Sequence, residues 1–356
     1  MPILPLFGHE ALRARLEGAA RAGRLPASLL LHGPAGVGKQ RLALRLAQTL
    51  LCTGAEPPCG ECQSCRYALD LAHPDLHWYF PRPRPKDTDP SAEDVEADYA
   101  EARADRARKE QGLYPPPPGT DGLYVATVRA MLQAASRSPA LGRRKVFIVG
   151  DAERMVPQEG SDQAANAFLK LLEEPPADTT LILTSSEPGA LLPTIRSRVV
   201  AVRVAPLTDD EVRAFLRHET VRTRLKDAPG VEELRVRLAA GCPGRLLESA
   251  EQGGGVEAGR RLLEAAESGS RARWLRAAAG LGATKARGGF ASALDSLTVL
   301  LHQRVREAVD RGEAARAVRL GRTLGAVELA KARAHGNVNP QLAGSVLLRE
   351  LARAMR

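Results

Sequence analysis

Gly33-Pro-Ala-Gly36-Val-Gly38-Lys39 is the stretch of this sequence best suited to hold phosphate. Glycines at this spacing let backbone N–H groups turn toward an anion, the helix that follows favours negative charge at its start, and Lys39 reaches the terminal phosphates. The pattern G-x-x-x-x-G-K-[ST] breaks at its last position, where Gln40 replaces the hydroxyl that would hold magnesium between two phosphates. A neutral amide on a longer stem is a poor substitute. The acidic element of such sites is displaced as well, because after KVFIV the chain reads Gly150-Asp151-Ala152-Glu153. With Gly150 at the metal-associated position, Asp151 falls where a water-activating Glu is expected, on a shorter stem. Two separate losses in one site predict impaired or absent hydrolysis; whether ATP and Mg2+ still bind is a separate question that these residues leave open.

Cys52-x6-Cys59-x2-Cys62-x2-Cys65 is a second constellation. Four thiolates complete a tetrahedral zinc shell and leave no position for water, which makes such a site structural. The C-x2-C-x2-C run also resembles iron–sulfur spacing, but a Pro-Pro-flanked loop with a fourth Cys closing the preceding helix fits zinc better. His73 and His77 lie nearby, and a saturated shell does not need them. Cys242, alone in Gly241-Cys-Pro-Gly-Arg245, reads as a small buried hydrophobe. No Ser–His–Asp arrangement is readable.

These residues need elements to position them. Residues 9–22 have helical apolar spacing, Ser28–His32 (SLLLH) reads as a buried strand running into the glycine turn, and residues 41–52 form the helix beyond it. A helix over 124–136, a strand over Lys145–Val149, a helix over 163–174 and a strand over Thr180–Thr184 follow. Strands alternating with helices predict a parallel sheet covered on both faces, with its ligand site at the carboxyl ends of the strands. Residues 81–120, charged and bracketed by prolines, have little to bury and read as a flexible insertion whose middle is at most an exposed helix. Beyond Arg203 the pattern is helical: a small unit to about residue 250, a glycine-rich linker over 251–259, and a helical bundle over 260–356.

Asn166-Ala-Phe-Leu-Lys-Leu-Leu-Glu-Glu-Pro-Pro176, followed by LILTSSEPGALLPTIRSR, closely resembles the clamp-loader branch of the AAA+ family. With the phosphate loop and the cysteines in the same order, the resemblance covers residues 6–205, and it divides the chain into an α/β AAA+ P-loop domain with an inserted zinc module (1–205), a helical lid domain (206–250) and an all-α collar (260–356). Gln40 and Gly150 depart from the ATP-hydrolysing motor (tau/gamma) subunits of bacterial DNA polymerase III and favour the delta-prime type. The resemblance implies that Arg198, in a Ser197-Arg198 pair like the family's Ser-Arg-Cys motif with Val199 for the Cys, reaches a neighbour's ATP site as an arginine finger. Such a guanidinium is worth about 10³–10⁵ in rate. Thr184 and Ser185 resemble the positions that sense the γ-phosphate, and Arg245 resembles the sensor arginine of the lid. Partners implied are the motor and delta subunits, and through the assembly the sliding clamp and primed DNA.

Composition agrees with a helix-rich globular chain: 44% hydrophobic and 26% charged residues over 356 positions. The net charge of +9 is compatible with nucleic acid but weak by itself, since the arginine-rich last hundred residues lack the run of interleaved aromatics that would make stacking platforms for single strands. The first residues lack a secretory pattern, and no apolar run reaches the ~20 residues of a membrane span. A cytoplasmic protein with reduced cysteines and no membrane contact is expected.

Overall fold

Five short apolar runs pair into one parallel sheet: β1 (Ser28–His32), β2 (Leu76–Tyr79), β3 (Lys145–Val149), β4 (Thr179–Ser185) and β5 (Val200–Arg203), in the order β2-β3-β4-β1-β5. Every residue of β3 and β4 is buried, as expected of central parallel strands with helices on both faces. This computed structural model describes residues 3–355 except 86, 88, 111, 115–120, 156–162, 226–231, 252–254, 282–286 and 335–338.

The helix that follows β1, Lys39–Leu51, buries Leu42, Ala43, Leu44, Leu46, Ala47 and Leu51, so the phosphate loop is anchored at both ends in the core. Helices Val125–Ser136 and Gln163–Glu173 add Val128, Met131, Phe168, Leu171 and Leu172 to the same core. The strands expected at 28–32 and 145–149 have those bounds, and the strand expected at 180–184 is one residue longer at each end. Two further strands lie outside the sequence expectations: β2, a short LHWY, and β5, whose residues are largely exposed at the sheet's edge.

Residues 81–120 are a correction. A helix runs from Ala92 to Glu110, and it is a packed element: Val95, Tyr99, Ala102 and Ala107 join the main core, and the Tyr99 hydroxyl donates to the Phe80 carbonyl oxygen at 2.8 Å. The helix covers the β2 edge, which explains why Trp78 and Tyr79 on this outer strand, and Phe80 just after it, are fully buried. The proline run within 115–120 lies outside the described residues.

The chain divides into two compact units, residues 1–215 with 241–244, and residues 216–240 with 245–356. Within the second, helices Gly255–Glu267, Arg271–Ala279, Arg287–Asp310, Ala314–Ala334 and Pro340–Met355 share a core that includes Leu262, Phe290, Leu294, Leu297, Val327 and Leu348. Of the expected linker, residues 255–259 are helical and 252–254 lie outside the described residues. Among the described residues no helix is long and apolar enough to cross a membrane.

Candidate functional site

The phosphate loop joins β1 to the helix Lys39–Leu51 at the carboxyl end of the sheet. Gly36 (φ 80°) and Gly38 (φ 104°) adopt a left-handed backbone that side chains disfavour, and this bends the chain into the helix start. Gly33 N donates to Ser185 O at 3.2 Å, and Gly244 N donates to Gly36 O at 2.9 Å, so the loop is braced from β4 and from the segment carrying Cys242. Cys242 is buried in the main core, as its reading from sequence expected. Lys39 is 5% exposed, and its ammonium donates to Gly33 O, Pro34 O and Ser186 Oγ, each at 2.9 Å. Burial lowers its pKa, opposed by the nearby carboxylates of Asp151 and Glu153.

Gln40 does not hang loosely in place of a hydroxyl. Its Oε1 accepts from the Trp78 indole Nε1 at 2.7 Å, and its Nε2 lies 3.4 Å from Asp151 Oδ2. A Cβ at Gly150 would sit 2.5 Å from Gln40 Oε1, inside any tolerable contact. The two losses read from sequence as independent are therefore one packing arrangement: the missing side chain at 150 makes room for the amide at 40. Asp151, at φ 46°, also accepts from the Tyr114 hydroxyl at 2.9 Å, and its backbone N–H donates to Thr184 Oγ1 at 3.1 Å. Burial and the neighbouring Glu153 raise the Asp151 pKa, while the Tyr114 hydrogen bond and Lys39 oppose the rise. Trp78 and Tyr114 had no signal in the sequence, since neither belongs to a motif.

Thr184 and Ser185 are both fully buried at the end of β4, close to this corner. The Thr184 hydroxyl is engaged by Asp151, and Ser185 Oγ accepts from Glu187 N at 3.1 Å. Arg245 is exposed and belongs to the second unit, at the start of a helix.

Cys52 ends one helix, Cys62 caps the helix Gln63–Leu69, and Cys59 and Cys65 complete a cluster whose sulfurs all lie within 4.8 Å of one another. The separations Cys52–Cys59 at 3.6 Å, Cys52–Cys62 at 3.9 Å and Cys59–Cys65 at 4.0 Å exclude disulfides. They match a tetrahedral shell, in which metal–sulfur bonds of about 2.3 Å place sulfurs about 3.8 Å apart. Backbone N–H groups of Gly54, Cys59, Cys62 and Cys65 point at the sulfurs, as expected where thiolate charge is to be stabilised. Burial works against the Cys62 thiolate, but hydrogen bonds from Thr53 and from the Cys65 and Cys59 groups bring its pKa down to about 5. The four residues fit a metal such as zinc, and neither His73 nor His77 belongs to the cluster.

Arg198 follows the short helix Pro193–Arg196 and precedes β5. Its Nη1 donates to Thr194 O at 2.9 Å and lies 3.3 Å from Ser197 Oγ, and its Nη2 pairs with Glu173 Oε1 at 2.7 Å. The side chain stays 34% exposed, a guanidinium fixed at the surface of the first unit. Val199, where the family motif has Cys, packs against the main core.

A parallel five-stranded sheet with a glycine–lysine loop after β1 and a four-cysteine cluster after the next helix defines an α/β protein of the phosphate-loop type that carries an inserted set of metal-ligating residues. The chain belongs to the family described as DNA polymerase III, delta subunit, whose profile matches residues 8–208. It is 33% identical over 239 residues to DNA polymerase III subunit delta′ of Pseudomonas aeruginosa, a match covering 66% of this chain and 58% of that protein. It is 30% identical over 235 residues to the Escherichia coli subunit delta′, covering 65% and 57%. DNA polymerase III subunit tau of Salmonella typhimurium is 28% identical over 238 residues, covering 66% of this chain and 30% of that protein. The chain is thus similar to DNA polymerase III subunits of both delta′ and tau kinds, and the match spans a little over half the length of the delta′ relatives.

Proposed function

We propose that this chain is a non-hydrolysing clamp-loader subunit of the replicative DNA polymerase III holoenzyme, a stator that lends Arg198 to the ATP site of a neighbouring motor subunit. The observation that carries the reading is the state of Arg198, held at Nη1 by the Thr194 carbonyl of its own turn and at Nη2 by Glu173, with 34% of the side chain still exposed. A guanidinium fixed in advance loses little freedom when it meets a γ-phosphate, and its charge stabilises what develops during phosphoryl transfer. The partners are motor (tau/gamma) and delta subunits, with the sliding clamp and primed DNA reached through the assembly. The helices of residues 260–356 serve as the collar, residues 206–250 as the lid, and zinc on the four cysteines closes the loop between Cys52 and Cys65.

Gln40 and Gly150 support the absence of hydrolysis, because the position of the magnesium-binding hydroxyl carries a neutral amide already bonded to Trp78. A motor-like reading draws only on the retained Lys39 and the tau similarity. Steady-state ATP turnover by the purified chain, with and without primed DNA, separates the two: no turnover above background is expected. Robust turnover lost on Lys39→Ala would install the motor reading instead.

A further inference from the structure

We infer that the phosphate loop of this chain takes phosphate without a divalent cation, and that Trp78 and Tyr114, acting with Gln40, are the residues that keep the cation out. The inference rests on reading residues 33–40 as a phosphate loop and is independent of the role given to Arg198.

Magnesium needs oxygen ligands in near-octahedral array at about 2.0–2.1 Å, together with anionic charge. The corner beside Lys39 offers the opposite. The oxygen of the Gln40 side chain, Oε1, is taken up at 2.7 Å by the Trp78 indole N–H. The amide is thereby oriented with its Nε2, a donor, toward Asp151. Asp151 is the carboxylate beside Gln40 that could shift to hold an ion, and its Oδ2 already accepts the Tyr114 hydroxyl at 2.9 Å. An N–H and an O–H group thus converge on the carboxylate where a cation would bind, and they supply the positive ends of dipoles in its place. Position 150 contributes no ligand, because the Gln40 amide fills the space its side chain would need.

The bracket is held from outside. The Arg106 guanidinium lies over the rings of Phe80 at 4.2 Å, Tyr114 at 4.6 Å and Trp78 at 5.7 Å from their centroids, so it pins both donors and adds positive charge behind them. Arg106 belongs to the helix Ala92–Glu110, and Tyr114 follows shortly after it. The segment after β2 therefore delivers both Tyr114 and Arg106 to the metal corner of the nucleotide site. On the phosphate side nothing comparable is lost, since the left-handed glycines and the Lys39 ammonium remain.

Mn2+ is the probe, used on the full chain with excess ATP and read by electron paramagnetic resonance, alongside equilibrium binding of a fluorescent ATP analogue. The wild-type chain should show no ATP-dependent bound Mn2+ beyond the Mn2+–ATP complex of a matched sample without the chain, and its affinity for the analogue should differ by less than about twofold between Mn2+ and EDTA. Bound Mn2+, or affinity more than about tenfold tighter with the metal, overturns the inference. No analogue binding under either condition overturns it in a distinguishable way, by removing the phosphate-loop reading beneath it. The variant Gln40→Thr/Gly150→Asp/Tyr114→Phe, shown to be folded by circular dichroism, should gain ATP-dependent Mn2+ about tenfold tighter than Gln40→Thr/Gly150→Asp with Tyr114 in place. A folded triple variant that gains none shows that these residues are not what excludes the ion.

Discussion

Gln40 and Gly150 stand far apart in the sequence, where each reads as the loss of a ligand. In the fold they are in contact, and neither is intelligible without the other. Gly150 does not occupy the left-handed region, so its backbone would accept a side chain, and the three nearest atoms a Cβ would meet all belong to the Gln40 amide, itself held by Trp78. Gly150→Ala should therefore destabilise the wild-type chain by about 1–3 kcal/mol through overpacking. In a Gln40→Ala background most of that cost should vanish, a coupling that denaturant unfolding of the double-variant cycle measures; additive costs would contradict the contact. The individual site residues were legible because each sits in a local pattern: the glycines and Lys39 in a turn, the four cysteines at ligand spacing, Arg198 in a family-like pair. The pairings were not, because Trp78 and Tyr114 come from neighbouring elements, and no sequence pattern states which side chains will face one another across a sheet.

Among the elements, the helix Ala92–Glu110 is the one that sequence patterning underestimates. Its segment, AEDVEADYAEARADRARKE, is mostly charged, and its inward positions are Val95, Tyr99, Ala102 and Ala107, where two alanines give almost no hydrophobic signal. Tyr99, the largest of the four, is buried and packs edge-on against Tyr79 and Phe80 with ring centroids 5.0 and 5.6 Å apart. Tyr99→Ala should cost about 3 kcal/mol or more in unfolding free energy. A surface ornament would tolerate it within about 0.5 kcal/mol, so a small loss would restore the picture of a loosely attached insertion. The strands β1, β3 and β4 were readable for the contrary reason: they are buried on both faces, so their sequences are short uninterrupted apolar runs between turn signals. At the edge, β5 pairs on one side only and keeps most of its side chains exposed, which removes that signal.

For the whole molecule, the role proposed for Arg198 makes this a protein whose chemistry another chain completes. The net charge of +9 contributes little to this conclusion, because many of the arginines are paired with carboxylates in the same or a neighbouring helix turn, such as Arg260 with Glu257 and Arg304 with Glu307. Isolated pairs of this kind are worth little to stability and sum to no charge, so those arginines are ordinary helix surface. The decisive measurement is steady-state ATP hydrolysis by a loader reconstituted from motor, delta and this chain, with sliding clamp and primed DNA, comparing wild type with Arg198→Ala. Assembly should be unchanged while turnover falls by a factor on the order of 10³ at the one motor site that Arg198 completes, with total turnover reduced accordingly. Unchanged turnover and clamp loading in a fully assembled Arg198→Ala complex would contradict the account.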